Sequence, residues 1–125
     1  MAAPASQPRN AILGQALALS ISLGVSYADF IPLWARQSVA TSLSIAGMVK
    51  LGIIHPPAGA AAMLFSTGKF GWMNMAFMLF ANVLAIAAAT LINNMSNKRQ
   101  YPNYWGFRPF VEAYKLCRKY DFKKV

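Results

Sequence analysis

Residues 52–63 read GIIHPPAGAAAM. The chain's only histidine, His55, is followed by Pro56 and Pro57 inside one of its most apolar stretches. Each proline removes a backbone donor and clashes with the preceding turn. The residue before a proline is driven out of helical geometry. A helix entering this stretch therefore ends at about His55, and a new one starts at the prolines, which the first helical turn tolerates. The new helix, PPAGAAAMLFS, has about ten residues, half of the ~20 that cross a bilayer. This predicts a short re-entrant or broken half-helix at membrane depth, where irregular backbone survives only if protein or a water-filled cavity satisfies its polar groups. Pro56, Pro57 and Gly59 form the break, and the run from Ala58 to Ala62 permits close backbone contact. The N-terminus of the half-helix suits an anion, with His55 beside it as a neutral hydrogen-bonding group or an added positive charge. The alternative is that His55 caps a helix end through a neighbouring carbonyl.

The rest of the chain reads as membrane protein. It is 57% hydrophobic and only 12% charged, where a soluble domain carries about 25% charged residues. Residues 10–28, uncharged between Arg9 and Asp29, predict one transmembrane helix. Residues 33–54 predict a second after Pro32, with Tyr27, Phe30 and Trp34 at the interface and Arg36 and Lys50 reaching towards headgroups. Ser38, Thr41, Ser42, Ser44 and Gly47 read as its packing face. Residues 73–95 predict a third, after the loop 66–72, with Trp72 as an anchor, Asn74 and Asn82 as interhelical hydrogen-bonding groups, and Asn93 and Asn94 at the exit. The fold class is thus an all-α integral membrane protein. It has three transmembrane helices, the half-helix and a basic amphipathic tail. Residues 1–97 form the transmembrane domain and 98–125 a basic, aromatic surface segment.

Net charge is +9, and eight of the 12 basic residues lie from Lys98 onward. A positive flank after an apolar segment marks the cytoplasmic, matrix or stromal side. Three full spans then place the C-terminus inside and the N-terminus outside. Lys98, Arg99, Tyr101, Tyr104, Trp105 and Arg108 are the expected contacts to anionic lipid or a partner. Nucleic acid is excluded as a partner because the remaining residues do not read as a soluble core. Cys117, the only cysteine, makes no internal disulfide and, with one histidine, no metal site. Three acidic residues, one histidine and one cysteine supply no catalytic pair, so no enzyme activity and no cofactor are expected. The first ten residues show no cleaved targeting segment.

HPPAGA, together with PASQPRNAILGQ (4–15) and the ordered GWMNMAF, LINNM and YPNYW stretches, resembles the HPP family of integral membrane proteins. The resemblance runs from about Pro4 to Trp105. It implies a small all-helical membrane domain of a family regarded as transporters, whose plant plastid members are associated with nitrite movement. The motif positions carried over are Gln7, Pro8, Arg9, Asn10, Gly14, His55, Pro56, Pro57, Gly59 and Asn94. Arg9, Asn10 and His55 are the anion-contact candidates. Family members carry a further Gly- and Ala-rich helical segment ahead of Gln-Pro-Arg-Asn, so another chain is expected to supply that half, or the scaffold to persist without transport. The expected function is a non-catalytic accessory subunit of a larger energy-transducing membrane complex, in contact with lipids and other subunits. The expected location is an organellar inner membrane, mitochondrial ahead of plastid. The alternative is a transporter or channel for a small anion such as nitrite.

Overall fold

A computed structural model describes residues 4–95 and 101–102. Its elements are a 3-10 turn at Pro4–Ser6 and four helices: α1 (Pro8–Ser26), α2 (Leu33–Leu51), α3 (Pro56–Phe65) and α4 (Trp72–Asn94). No strand occurs among the described residues. The three long helices agree in extent with the helices expected over 10–28, 33–54 and 73–95 to within a few residues. Lys98, Arg99, Tyr104, Trp105 and Arg108, and with them most of the expected segment 98–125, lie outside the described residues.

α1 is the hub and packs against all three other helices. Its buried positions include Asn10, Ala11, Gly14, Gln15, Ala18, Leu19, Ser22 and Leu23, the 3–4 spacing of a helix covered on more than one side. α2 runs antiparallel to it: Arg36 reaches the Ser26 carbonyl at one end, and an added methyl on Gly47 would meet Leu17 at 3.2 Å towards the other. Ala40, Ser44 and Met48, spaced by four, are the buried residues of α2. Of the serine-rich face expected there, Ser44 is buried and faces the Ala18 carbonyl. Ser38 and Ser42 are exposed.

α3 packs along the second half of α1. Ala58 and Ala62 join Ala18, Met48 and Ile53 in one apolar cluster, and Ala61 and Phe65 join Leu19 and Leu23 in another. Small side chains allow this close approach. Phe65 stacks on Phe70 with ring centroids 5.1 Å apart, and Gly68 approaches the Ser26 carbonyl. α3 thus runs towards the far end of α1, the side from which α2 set out, and does not turn back to the side on which α2 ends. α4 then descends antiparallel to α1, with Met75, Met78 and Leu79 against the second cluster. Asn82 Nδ2 donates to the Ala11 carbonyl at 2.9 Å.

The described ends, Ser6 and Tyr101, lie together, where three full spans would hold them apart; the termini, expected on opposite sides, lie outside the described residues. The Tyr101 hydroxyl donates to the Ser6 carbonyl at 2.7 Å, which joins the end of α4 to the start of α1. The ten residues of α3 rise only about 15 Å, but the links on either side complete the distance. A short helix with two connecting strips reverses the chain as a full span would.

The exterior is apolar. Ile86 is the one buried residue of α4, and Met73, Phe77, Phe80, Leu91 and Ile92 are all more than 60% exposed. With 6% of its apolar window buried, α4 is unlike the core helix of a soluble protein. It is the described helix long and apolar enough to cross a bilayer. α1 and α2 have 19 residues each, but Arg9, Asn10 and Gln15 in one, and Arg36 and Lys50 in the other, lower their apolar character.

Candidate functional site

The HPP stretch forms a built break. Gly52 closes α2 in the left-handed conformation, with φ 63°, which costs glycine no Cβ clash. The Gly52 N–H donates to the Val49 carbonyl and the Ile53 N–H to the Met48 carbonyl, the paired bonds of a Schellman stop. Met48 and Ile53 also pack together. α2 therefore ends at Leu51 and not at residue 54. Sequence reasoning assigned the break to Pro56, Pro57 and Gly59. Pro56 and Pro57 do open α3, but Gly59 lies within its first turns, where an added methyl would make ordinary contacts with Ile45 at 3.8 Å. The signal for Gly52 was present: a glycine at the end of an apolar run, with prolines just beyond.

The break docks onto α1 through Gly14. A Cβ there would stand 2.6 Å from the Ile53 carbonyl oxygen and 2.8 Å from the His55 Cβ. Along α1, Gly14 is six residues from Pro8, about 9 Å at 1.5 Å per residue. The break thus meets α1 nearly two turns in from its start.

His55 is the N-cap of α3 in extended conformation, without a side-chain cap hydrogen bond. Its ring instead reaches back to the segment before α1, where Nδ1 lies 3.1 Å from the Ala5 carbonyl oxygen. A carbonyl only accepts, so the Nδ1–H tautomer makes this bond. Pro56 and Pro57 have no N–H, and the Ala58 N–H is given to the His55 carbonyl at 3.0 Å. Three of the earliest donor positions of α3 are therefore lacking or occupied.

Three distant stretches converge at this end. Asn94 brackets Tyr101: its Oδ1 accepts from the Tyr101 N–H at 3.0 Å, and its Nδ2 donates to the Tyr101 carbonyl at 2.6 Å. Tyr101 in turn bonds Ser6, beside the Ala5 carbonyl that His55 meets. Expected as a lipid or partner contact, Tyr101 is a strap within the molecule, and burial pushes its phenol up from 10.0. Gln7 and Asn10 are buried. Arg9 is half-buried and lines an open groove with Leu13 and Ile53. The carbonyls of Ala5 and Ser6 had no signature in the sequence, because every residue has one.

The opposite end is held by a residue expected to reach outwards. Arg36 turns inwards, its Nε donating to the Ile31 carbonyl at 2.7 Å and its Nη1 to the Ser26 carbonyl at 3.0 Å. Its Nη2 meets Asp29 at 3.0 Å. Tyr27, Phe30, Trp34 and Trp72 ring this end, each at least 59% exposed. Of the two asparagines expected to join helices, Asn82 does so. Asn74 accepts from the Gly71 N–H at the start of its own helix. No cluster of three or more metal-ligating side chains occurs among the described residues.

Comparison with known proteins bears on the family. The family model described as HPP, transmembrane region, matches residues 1–102. A transmembrane protein of Dictyostelium discoideum is 32% identical over 113 residues, covering 82% of this chain and 39% of its own length. A second from the same organism is 29% identical over 111 residues, covering 82% and 35%. The chain thus spans less than half the length of these curated relatives. No solved structure matches it. With the family's match running over the break, Gly14 and the Asn94 strap alike, the chain belongs to the HPP transmembrane family of membrane proteins.

Proposed function

We propose that this chain is a non-catalytic structural module of a larger membrane assembly. In this reading α1, α2 and α4 cross the bilayer, and α3 with its links completes a shortened fourth passage. The observation that carries it is the closure of the HPP break by the protein's own groups. The Ile53–His55 backbone lies against Gly14, and His55 is engaged by Ala5. The large side chains left exposed on α2 and α4 are apolar and suited to lipid or to neighbouring helices. The aromatic ring at one end and Arg9 and Lys50 at the other match the two interfaces of a membrane.

Both described ends, Ser6 and Tyr101, lie together at the end of the molecule where α1 begins, and in the sequence eight of the 12 basic residues follow from Lys98 onward. We place that side in the matrix or stroma of an organellar inner membrane, mitochondrial ahead of plastid. Purification from native membranes in mild detergent tests the reading. The chain is expected in a particle larger than itself, with tags before Ser6 and after Tyr101 protected on the same side of sealed vesicles. Recovery as a lone, stable, anion-conducting particle would reverse the assignment.

A second reading, conduction of a small anion such as nitrite, is favoured by the half-buried Arg9 lining an open groove at the same end as His55. Nitrite uptake into proteoliposomes separates the two. The structural module gives uptake equal to protein-free vesicles, for wild type and His55→Ala alike. Uptake that His55→Ala abolishes would establish the second reading.

A further inference from the structure

One face of α1 is left uncovered by the other helices. Arg9, Leu13, Ala16, Leu17 and Ser20 follow each other at helical spacing, and with Leu51 and Ile53 they line an open groove of about 430 Å³. Leu51 and Ile53 flank Gly52, so the stop that ends α2 also forms the groove's upper wall. Leu17, on the groove's wall, meets α2 at Gly47, and Ser20 is the groove's last lining residue along α1.

We propose that this groove holds an anionic phospholipid, its phosphate at Arg9 and one acyl chain along Leu13, Ala16, Leu17 and Ser20. The inference rests on the bilayer reading above and adds a ligand to it. Three features select this occupant. The groove has one cation at its end and otherwise almost only apolar walls, the division of polarity found in a lipid. From Arg9 to Ser20 is eleven residues, about 16 Å along a helix, close to half of the ~30 Å hydrocarbon core. A chain running inwards from a headgroup at Arg9 therefore ends near the midplane, as the chain of one leaflet does.

The charge balance at this end gives the sign of the headgroup. Lys50, exposed next to Leu51, adds a second cation. Asp29, the sole acidic residue among those described, lies at the opposite end in the bond with Arg36. A free inorganic anion would use Arg9 but leave the apolar length of the groove unfilled.

The test uses the full chain, stripped of lipid in detergent and placed in phosphatidylcholine vesicles containing a minor fraction of phosphatidylglycerol. The lipid retained per chain on gentle re-extraction is measured by mass spectrometry. Wild type is expected to retain phosphatidylglycerol above its bulk fraction. Arg9→Gln is expected to lower that enrichment about fivefold, the ratio set by one basic residue at a membrane surface. Ala16→Phe, which fills the groove and keeps the charge, gives a similar loss. Lys69→Gln, at the other end, leaves retention unchanged.

Enrichment that persists undiminished in folded Arg9→Gln and Ala16→Phe chains comes from the basic residues elsewhere in the chain and overturns this inference. Retention at the bulk fraction in a chain that resists alkaline extraction overturns this inference and leaves the bilayer reading standing. A chain released by alkali overturns both. Displacement of the retained lipid by inorganic phosphate shows an anion site without a chain groove, and overturns the assignment to phospholipid.

Discussion

Gly14→Ala tests the closed break directly. The new methyl carbon would stand 2.6 Å from the Ile53 carbonyl oxygen, 2.8 Å from the His55 Cβ and 3.3 Å from the Met48 sulfur. Non-bonded heavy atoms are at their best near 3.5–4.0 Å, so the first of these is roughly 1 Å too close. The obstructing atom is backbone and cannot rotate away. α1 and the 53–55 link must move apart, at the ~1–3 kcal/mol typical of an overpacked core. Alanine also favours a helix over glycine by ~1 kcal/mol, which partly hides the clash. Gly24, in the same helix, has nothing within 4 Å of an added Cβ and supplies the control. Gly24→Ala should match or exceed wild-type stability in detergent, while Gly14→Ala should fall below Gly24→Ala by about 1–3 kcal/mol. Thermal or dodecyl-sulfate unfolding followed by circular dichroism measures both in one micelle. Equal stability of the two variants would refute the claim that the break leans on α1.

Three further outcomes follow from named contacts. Arg36→Met removes the charged donors from the Ser26 and Ile31 carbonyls and should cost about 2 kcal/mol. Asp29→Asn should cost less than ~1 kcal/mol, because Asp29 is 92% exposed; the same unfolding assay ranks them. Asn82→Leu gives up the bond to Ala11 and should cost ~0.6–1.7 kcal/mol, the range for interhelical hydrogen bonds in a membrane, with α4 loosened first in hydrogen exchange. Tyr101→Phe removes the bond to Ser6 and should cost ~1 kcal/mol near neutral pH. Burial raises the Tyr101 pKa above 10.0, so the folded protein keeps a proton that the unfolded chain releases. The tyrosine's contribution is full below pH 10.0 and falls as pH rises through the folded value. The gap between wild type and Tyr101→Phe should therefore narrow on that side in a pH series of unfolding curves.

What could be read from the sequence was local. Pro56 and Pro57 stop and start helices through their own rings, so the break and α3 were placed correctly. The apolar run 73–95 located α4 almost to the residue, and an asparagine in such a run, Asn82, has few partners other than a neighbouring helix. Two errors were also local. Gly59 stood out among the small residues, but the left-handed turn at Gly52 determines where α2 ends. Asn74 was paired across helices, but it sits three residues after Gly71 and caps its own helix.

The tertiary structure decided what depends on direction and on unmarked partners. Hydropathy and proline positions set how long α3 is; they do not say which way it points. Its packing along the second half of α1 carries the chain to the far end, so both described ends share a side. Arg36 near a helix end reads as a headgroup-seeking cation until the unpaired carbonyls at the end of α1 and in the following turn come within reach. His55 and Tyr101 take the Ala5 and Ser6 carbonyls, groups that every sequence position offers and only the folded chain selects. Gly14 carries no sign of its role, because the atoms that exclude a methyl there lie some forty residues away in the chain.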